Sequence, residues 1–153
     1  MVAIHEQATQ FLTSILEGSG LALSVHTSES DEGCRFNIDG PDSDLLFAQS
    51  GELLDALQHL VNQAFLRELA RGERLICDAN DFRAAREAEL RAMANHAADR
   101  VRSGSTPFSF GPMNANERRI IHLALADQAD LSTESIGDGA ARRLRVSLKR
   151  SSR

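Results

Sequence analysis

The stretch Asn114-Ala115-Asn116-Glu117-Arg118-Arg119-Ile120-Ile121-His122 is where the fold assignment of this 153-residue chain turns. Asn114, followed three residues later by Glu117, resembles a capping box and predicts a helix running to about Ala126. Ile120, Ile121, Ala124 and Leu125 then fall on one arc and should pack inward. Arg118 and His122 stand four apart, about 40° from each other, on a shared strip at the edge of that arc. Arg119 lies beside them, toward solvent. Cations in the first turns of a helix oppose its macrodipole, at about 0.3–1 kcal/mol per charge, and an anion bound there reverses the sign. Taken alone the pattern is short, and an arginine paired with a carboxylate plus a boundary histidine satisfies it as simply.

On either side of this run, further elements can be read. Residues 83–103 read as a helix with Leu90, Met93, Ala94, Ala97 and Val101 on one face. Residues 107–112 are a short extended piece bounded by prolines. Leu131–Ile136 and Leu144–Lys149 are strand candidates separated by the turn Gly137-Asp138-Gly139. Upstream, Ala8, Phe11, Leu12, Ile15 and Leu16 predict a helix over 5–17, stopped by Gly18-Ser19-Gly20. Leu21, Leu23 and Val25 alternate as in a strand, and residues 34–39 form its hairpin partner. Leu53, Leu54, Leu57, Leu60, Val61, Ala64 and Phe65 predict a helix from Gly51 to about Ala70, with Gly72 as its C′ residue. Arg74–Asp78 reads as a buried strand. The expectation is an α+β chain of two small α/β domains in tandem, over residues 1–79 and 80–153, with no internal repeat.

Composition sharpens this division. Net charge is −5, with 42% hydrophobic and 25% charged residues, a folded profile rather than a disordered one. Residues 1–77 carry 4 basic and 12 acidic side chains, a balance of −8, whereas residues 78–153 carry 13 basic and 10 acidic, a balance of +3. The cationic half is the natural place for an anionic partner. No apolar run is long enough to span a membrane, and the N-terminus lacks a signal-peptide pattern, so membrane insertion is not expected and the cytoplasm is. Cys34 and Cys77 form neither a disulfide framework nor a metal spacing. The five histidines are dispersed, with no zinc pattern, nucleophile elbow, Walker loop or dinucleotide fingerprint. No metal, cofactor or enzymatic activity is therefore expected, and Asp78 and Asp81 read as solvated loop charges.

The run Pro112-Met113, Glu117 to His122, Thr133-x-Ser135-x-Gly137-Asp138-Gly139 and Arg142-Arg143 resembles the domain named for its Arg-x-x-x-His motif, a small module that binds single-stranded nucleic acid. The resemblance implies three short strands with two helices. It also implies a binding set of Arg118, His122, Arg119, Arg142 and Arg143, with Ser135, Gly137 and Gly139 shaping the loop. The first half resembles a type II KH domain, and Leu54-Asp55-Ala56-Leu57-Gln58 matches a helix motif of the bacterial Jag family of RNA-binding proteins. That family pairs the two domains and often adds an N-terminal domain and linker, which are not expected here. The implied ligand is single-stranded RNA, with single-stranded DNA as an alternative, and the implied role is post-transcriptional regulation.

One part departs from the family pattern. A KH domain grips the sugar–phosphate backbone through a loop with two glycines. Here that loop is Ala48-Gln49-Ser50-Gly51, without the first glycine or a basic residue, among Asp39, Asp42, Asp44, Glu52 and Asp55. Such a surface repels phosphates rather than exchanging their counterions. The alternative expectation is that the acidic KH-like unit docks a protein, which by resemblance is another small KH protein or a second copy of this chain, and that nucleic-acid binding is secondary.

Overall fold

The computed structural model describes residues 2–31 and 33–150. The chain divides into two compact units, Met1–Arg83 and Ala84–Arg153.

The first unit opens with α1 (Val2–Gly18), whose Ala8, Leu12 and Leu16 recur every fourth residue and are fully buried. β1 (Ser24–Ser30) and β2 (Gly33–Asp39) pair antiparallel, and β2 pairs in parallel with β3 (Arg74–Asp78), giving the sheet order β1-β2-β3. Cys34, Phe36 and Ile38 alternate inward along β2. Between β2 and β3 lie α2 (Asp44–Phe47), a 3-10 turn (Ala48–Gly51) and α3 (Glu52–Ala64), which lays Leu54, Leu57 and Val61 on the same core. The predicted element order is recovered, with the four-residue α2 in addition.

β3 is an edge strand, and α3 closes that edge with side-chain amides. Asn62 Nδ2 donates to the Leu75 carbonyl at 2.7 Å, and its Oδ1 accepts from the Leu75 N–H at 3.0 Å. Gln58 Oε1 accepts from the Cys77 N–H, also at 3.0 Å. Unpaired ladder groups that would otherwise invite a foreign strand are satisfied internally.

Three expectations change. The helix predicted to about Ala70 ends at Ala64, because Phe65 (φ −109, ψ 13) leaves the helical region. The N–H groups of Glu68 and Leu69 then turn back on the Phe65 carbonyl, and Gly72 lies in a later turn rather than at C′. Phe65 and Leu69 still face the core, Phe65 edge-to-face on Phe11 at 5.8 Å, so the apolar period runs through a turn that is no longer helix. Leu21 and Leu23 precede β1: the backbone of Ala22 is taken by Asp42, through an Oδ2 contact at 2.6 Å and its N–H at 3.4 Å. Asp78 is 1% exposed, not solvated; it holds Arg35 at 2.8 Å and accepts from the N–H groups of Ala79 and Arg83.

Cys34 and Cys77 are buried free thiols. Burial pushes the Cys77 thiol up to about 12 from an ordinary 9.0. A folded-state pKa raised above the unfolded one gives stability that is fully present below pH 9.0 and lost as pH rises toward about 12. The expected result is that native Cys77 resists alkylation near pH 8 and reacts once denaturant is added, read by intact mass.

α4 (Phe82–Gly104) begins on the last two residues of the first unit, and the second unit holds the rest of it with β4 (Phe108–Ser109), α5 (Ala115–Leu125), β5 (Leu131–Ile136), a 3-10 turn (Gly139–Ala141) and β6 (Arg143–Leu148). The sheet is antiparallel, in the order β4-β6-β5. These are the three short strands and two helices that the resemblance implied. Leu90, Ala94, Ala97, Ala98 and Val101 of α4 meet Ile121 and Leu125 of α5 and Leu131, Leu144 and Val146 of the sheet in one core. Both helices therefore cover one sheet face, and alternate residues of β5 and β6 point away from it.

Candidate nucleic-acid interface

Asn114 caps α5, its Oδ1 accepting from the Glu117 N–H at 2.9 Å. Only half of the predicted capping box forms. The Glu117 carboxylate is 4% exposed and turns to α4, where Arg86 Nε donates to it at 2.8 Å. Arg86 also donates to Glu89 at 2.9 Å. This pair seats the first turn of α5 and thereby places the residue that follows.

Arg118 is half-buried and its Nη1 donates to the Met113 carbonyl at 2.7 Å. The Met113 N–H donates to the Arg142 carbonyl at 3.2 Å, and Arg142 Nη1 donates to the Gly137 carbonyl at 2.8 Å. A chain of hydrogen bonds thus ties Arg118, the segment before α5, Arg142 and the 137–141 turn together. Gly137 adopts φ +82, and a Cβ there would lie 3.1 Å from the Ala141 carbonyl oxygen, so this tight turn calls for glycine. Gly139, also left-handed, opens the 3-10 segment.

At the other end of the strip, exposed His122 shares a short Nδ1–Oγ1 hydrogen bond with Thr133 of β5. The four residues from Arg118 to His122 span about 6 Å of helix. His122 therefore meets β5 at Thr133, one helical turn along α5 from Arg118. Among the described residues, neither Arg118 nor Arg119 has a carboxylate partner, so the salt-bridged reading of the Arg-x-x-x-His pattern is not what forms. Arg119 and Ser135 are exposed.

Arg143 Nε donates to the Ala141 carbonyl of the 137–141 turn at 3.3 Å. Its neighbour Leu144 is buried in the core, so Arg143 points to the opposite, open face of the sheet, across from Ile136. Met113 and Thr133 join the site without having been singled out for it. Thr133 was legible as the β5 residue facing the helix, but a backbone acceptor such as Met113 has no residue-type signature.

In the first unit, the loop Ala48–Gly51 joins α2 to α3. Gln49 (φ 51), Ser50 (φ 58) and Gly51 (φ 82) are successively left-handed, which costs a non-glycine residue about 1 kcal/mol or more. The surrounding acids are partly engaged: Asp55 pairs with Arg83 at 2.8 Å, Asp39 approaches His26 at 3.2 Å, and Asp42 holds the Ala22 backbone. Among the described residues, no group of three or more His, Cys, Asp or Glu side chains is arranged to hold a metal, and no helix is long and apolar enough to cross a membrane.

Residues 88–148 match the R-three-H domain, the module named for its Arg-x-x-x-His motif. Over 152 residues the chain is 31% identical to the RNA-binding protein KhpB of Clostridium symbiosum, covering 98% of this chain and 68% of that protein. It is 32% identical over 147 residues to the RNA-binding protein KhpB of Bacillus subtilis (strain 168), covering 95% and 71%. The chain belongs to the KhpB family. A more distant KhpB, from Lactiplantibacillus plantarum, is 24% identical over 140 residues, 92% of this chain and 44% of the relative. The family match spans both units, so the KhpB relationship extends to the acidic first unit as well as to the Arg-x-x-x-His domain.

Proposed function

We propose that the chain is a cytoplasmic single-stranded RNA-binding protein, a post-transcriptional regulator that acts by binding rather than catalysis and grips phosphates through its C-terminal domain. Arg118, His122, Arg119 and Arg142 form the contact set, beside the loop shaped by Ser135, Gly137 and Gly139. The observation that carries this reading is the hydrogen-bonded chain from Arg118 through Met113 and Arg142 to Gly137. It aims guanidinium groups from two distant segments at one edge, and carbonyl partners leave their charge uncancelled. The names of the relatives support the same reading. Contacts of this kind position a backbone more than they read its bases.

The test is fluorescence anisotropy of a single-stranded oligonucleotide against salt, for the wild type and Arg118→Ala, His122→Ala. Losing a charge-assisted contact costs about 1.5–3 kcal/mol, so affinity should fall at least about tenfold. The salt slope should drop by about 0.7 for the one cation removed. An unchanged affinity and slope would refute the assignment. Running RNA and DNA of the same sequence in parallel separates the two ligands.

A second reading, in which the first unit docks a protein, is supported by the exposure of Leu45, Leu60 and Leu66 (49%, 46% and 62%) on that acidic unit. Its partner is a small KH protein or a second copy of this chain. Sedimentation of the full chain with and without Leu60→Lys, Leu66→Lys tests the self-association arm. A concentration-dependent dimer lost in the variant supports that arm, and a monomer at all concentrations removes it.

A further inference from the structure

We propose that the open face of the C-terminal sheet is a second binding surface for a phosphodiester backbone. It rests on the reading that the chain binds single-stranded RNA and adds a surface opposite the Arg118–His122 strip. Along β6, Leu144 and Val146 are buried, so Arg143, Arg145 and Ser147 point outward. The Lys149 N–H donates to the Asp130 carbonyl at 2.8 Å and prolongs the ladder, keeping Lys149 in the outward register. Same-face residues recur about every 7 Å along a strand. The row reads cation, cation, hydroxyl, cation, and Ser132 stands across the ladder from Ser147.

A groove of about 680 Å³ lies along the far end of this row, lined by Ser132, Arg145, Ser147, Leu148, Lys149 and Arg150 among others, and Arg143 continues the row beyond it. Its acids are accounted for. Glu134 pairs with Arg145, and Asp130 is clamped by Arg102 through two bonds of 2.8 Å. Arg143, Lys149 and Arg150 form no ion pair among the described residues, and Lys149 adds only a minor share to the charge that holds the Asp130 carboxyl below its usual range. Arg145 Nε is buried without an acceptor, so Glu134 satisfies that guanidinium only in part. Unneutralised cations interleaved with hydroxyls in a line suit a linear polyanion. A protein partner fits less well, because protein interfaces are anchored by buried aromatic or large apolar groups. Here the lining is mainly serines and cations, and its apolar members, Pro107 and Leu148, include no aromatic group.

The experiment compares Arg143→Gln, Lys149→Gln, Arg150→Gln with the wild type, using the full chain and labelled oligouridylates of about 20 and about 5 nucleotides. Arg145 is left in place so that Glu134 stays paired. For the longer RNA the salt slope should fall by about 2, at about 0.7 per cation, with roughly tenfold weaker binding. For the short RNA, held by the strip alone, the change should stay under about twofold. Arg67→Gln, Arg71→Gln, Arg74→Gln removes the same charge from the first unit and should leave the slope unchanged. The proposal is overturned by an unchanged slope in the first variant, by an equal fall in the control, or by polyglutamate competing as well as RNA. If the strip variant binds normally while this one is weakened, the strip assignment fails and the sheet face stands; the reverse outcome removes the sheet face alone.

Discussion

Glu117→Ala should lower the stability of the C-terminal unit by about 3 kcal/mol, because it strands a cation against a buried surface. Glu117 is 4% exposed and Arg86 keeps 22% of its side-chain surface. Burial works against the Arg86 charge, but the hydrogen bonds it donates to Glu117 and Glu89, with their negative charges, outweigh it and hold its pKa above the ordinary value. Removing Glu117 leaves the desolvation and takes away the buried carboxylate that offsets it most. The expected loss sits at the lower end of the about 3–5 kcal/mol typical of a fully buried pair, since Arg86 retains that second partner. Glu117→Gln keeps an acceptor at the same place and should cost about half as much. Circular dichroism in a denaturant series measures both, and equal stability of wild type and Glu117→Ala would show that the pair contributes nothing. At saturating folded protein, RNA affinity should change less than in Arg118→Ala, because Glu117 positions the helix and touches no ligand.

The second large effect is expected at Gly51, the one glycine retained in the KH-like loop. Its φ of +82 disfavours any side chain, and a Cβ would lie 2.5 Å from Cε1 of Phe82. Phe82 is itself packed on Phe47, with ring centroids 5.5 Å apart, so the ring has limited room to yield. Left-handed strain of about 1–2 kcal/mol and overpacking of about 1–3 kcal/mol together predict a loss of about 2–5 kcal/mol for Gly51→Ala. Ala48→Gly, at the other end of the loop, should change stability by less than about 1 kcal/mol. The comparison separates two reasons for a glycine here. If Gly51→Ala is as stable as the wild type, the loop glycine has no packing role and its retention would point to backbone contact with a ligand. Thermal unfolding of the full chain followed by circular dichroism reads both variants.

The parts of the fold legible in sequence were those governed by local periodicity. The capped start of α5, the strands β2, β5 and β6 and the long α4 all follow from spacing and cap chemistry. Periodicity failed where a turn and a helix bury the same stripe. Phe65 and Leu69 stay on the core side after α3 has ended, so their spacing continued to read as helix. Buried polar groups were hidden for a different reason. Asp78 and Glu117 look like surface acids until Arg35 and Arg86 arrive from 43 and 31 residues away.

Charge balance and side-chain spacing are properties of the chain itself. They suffice to define an acidic half and a cationic half carrying Arg-x-x-x-His, and the KH-like character of the acidic half comes from resemblance to a family. Which cations share an edge was settled by packing alone. Arg142 and Arg143 both donate to carbonyls of the 137–141 turn, yet Arg142 is tied through Met113 to Arg118, while Arg143 starts the outward row of β6. The pleat sends successive side chains to opposite faces, and the burial of Leu144 fixes which face each arginine receives.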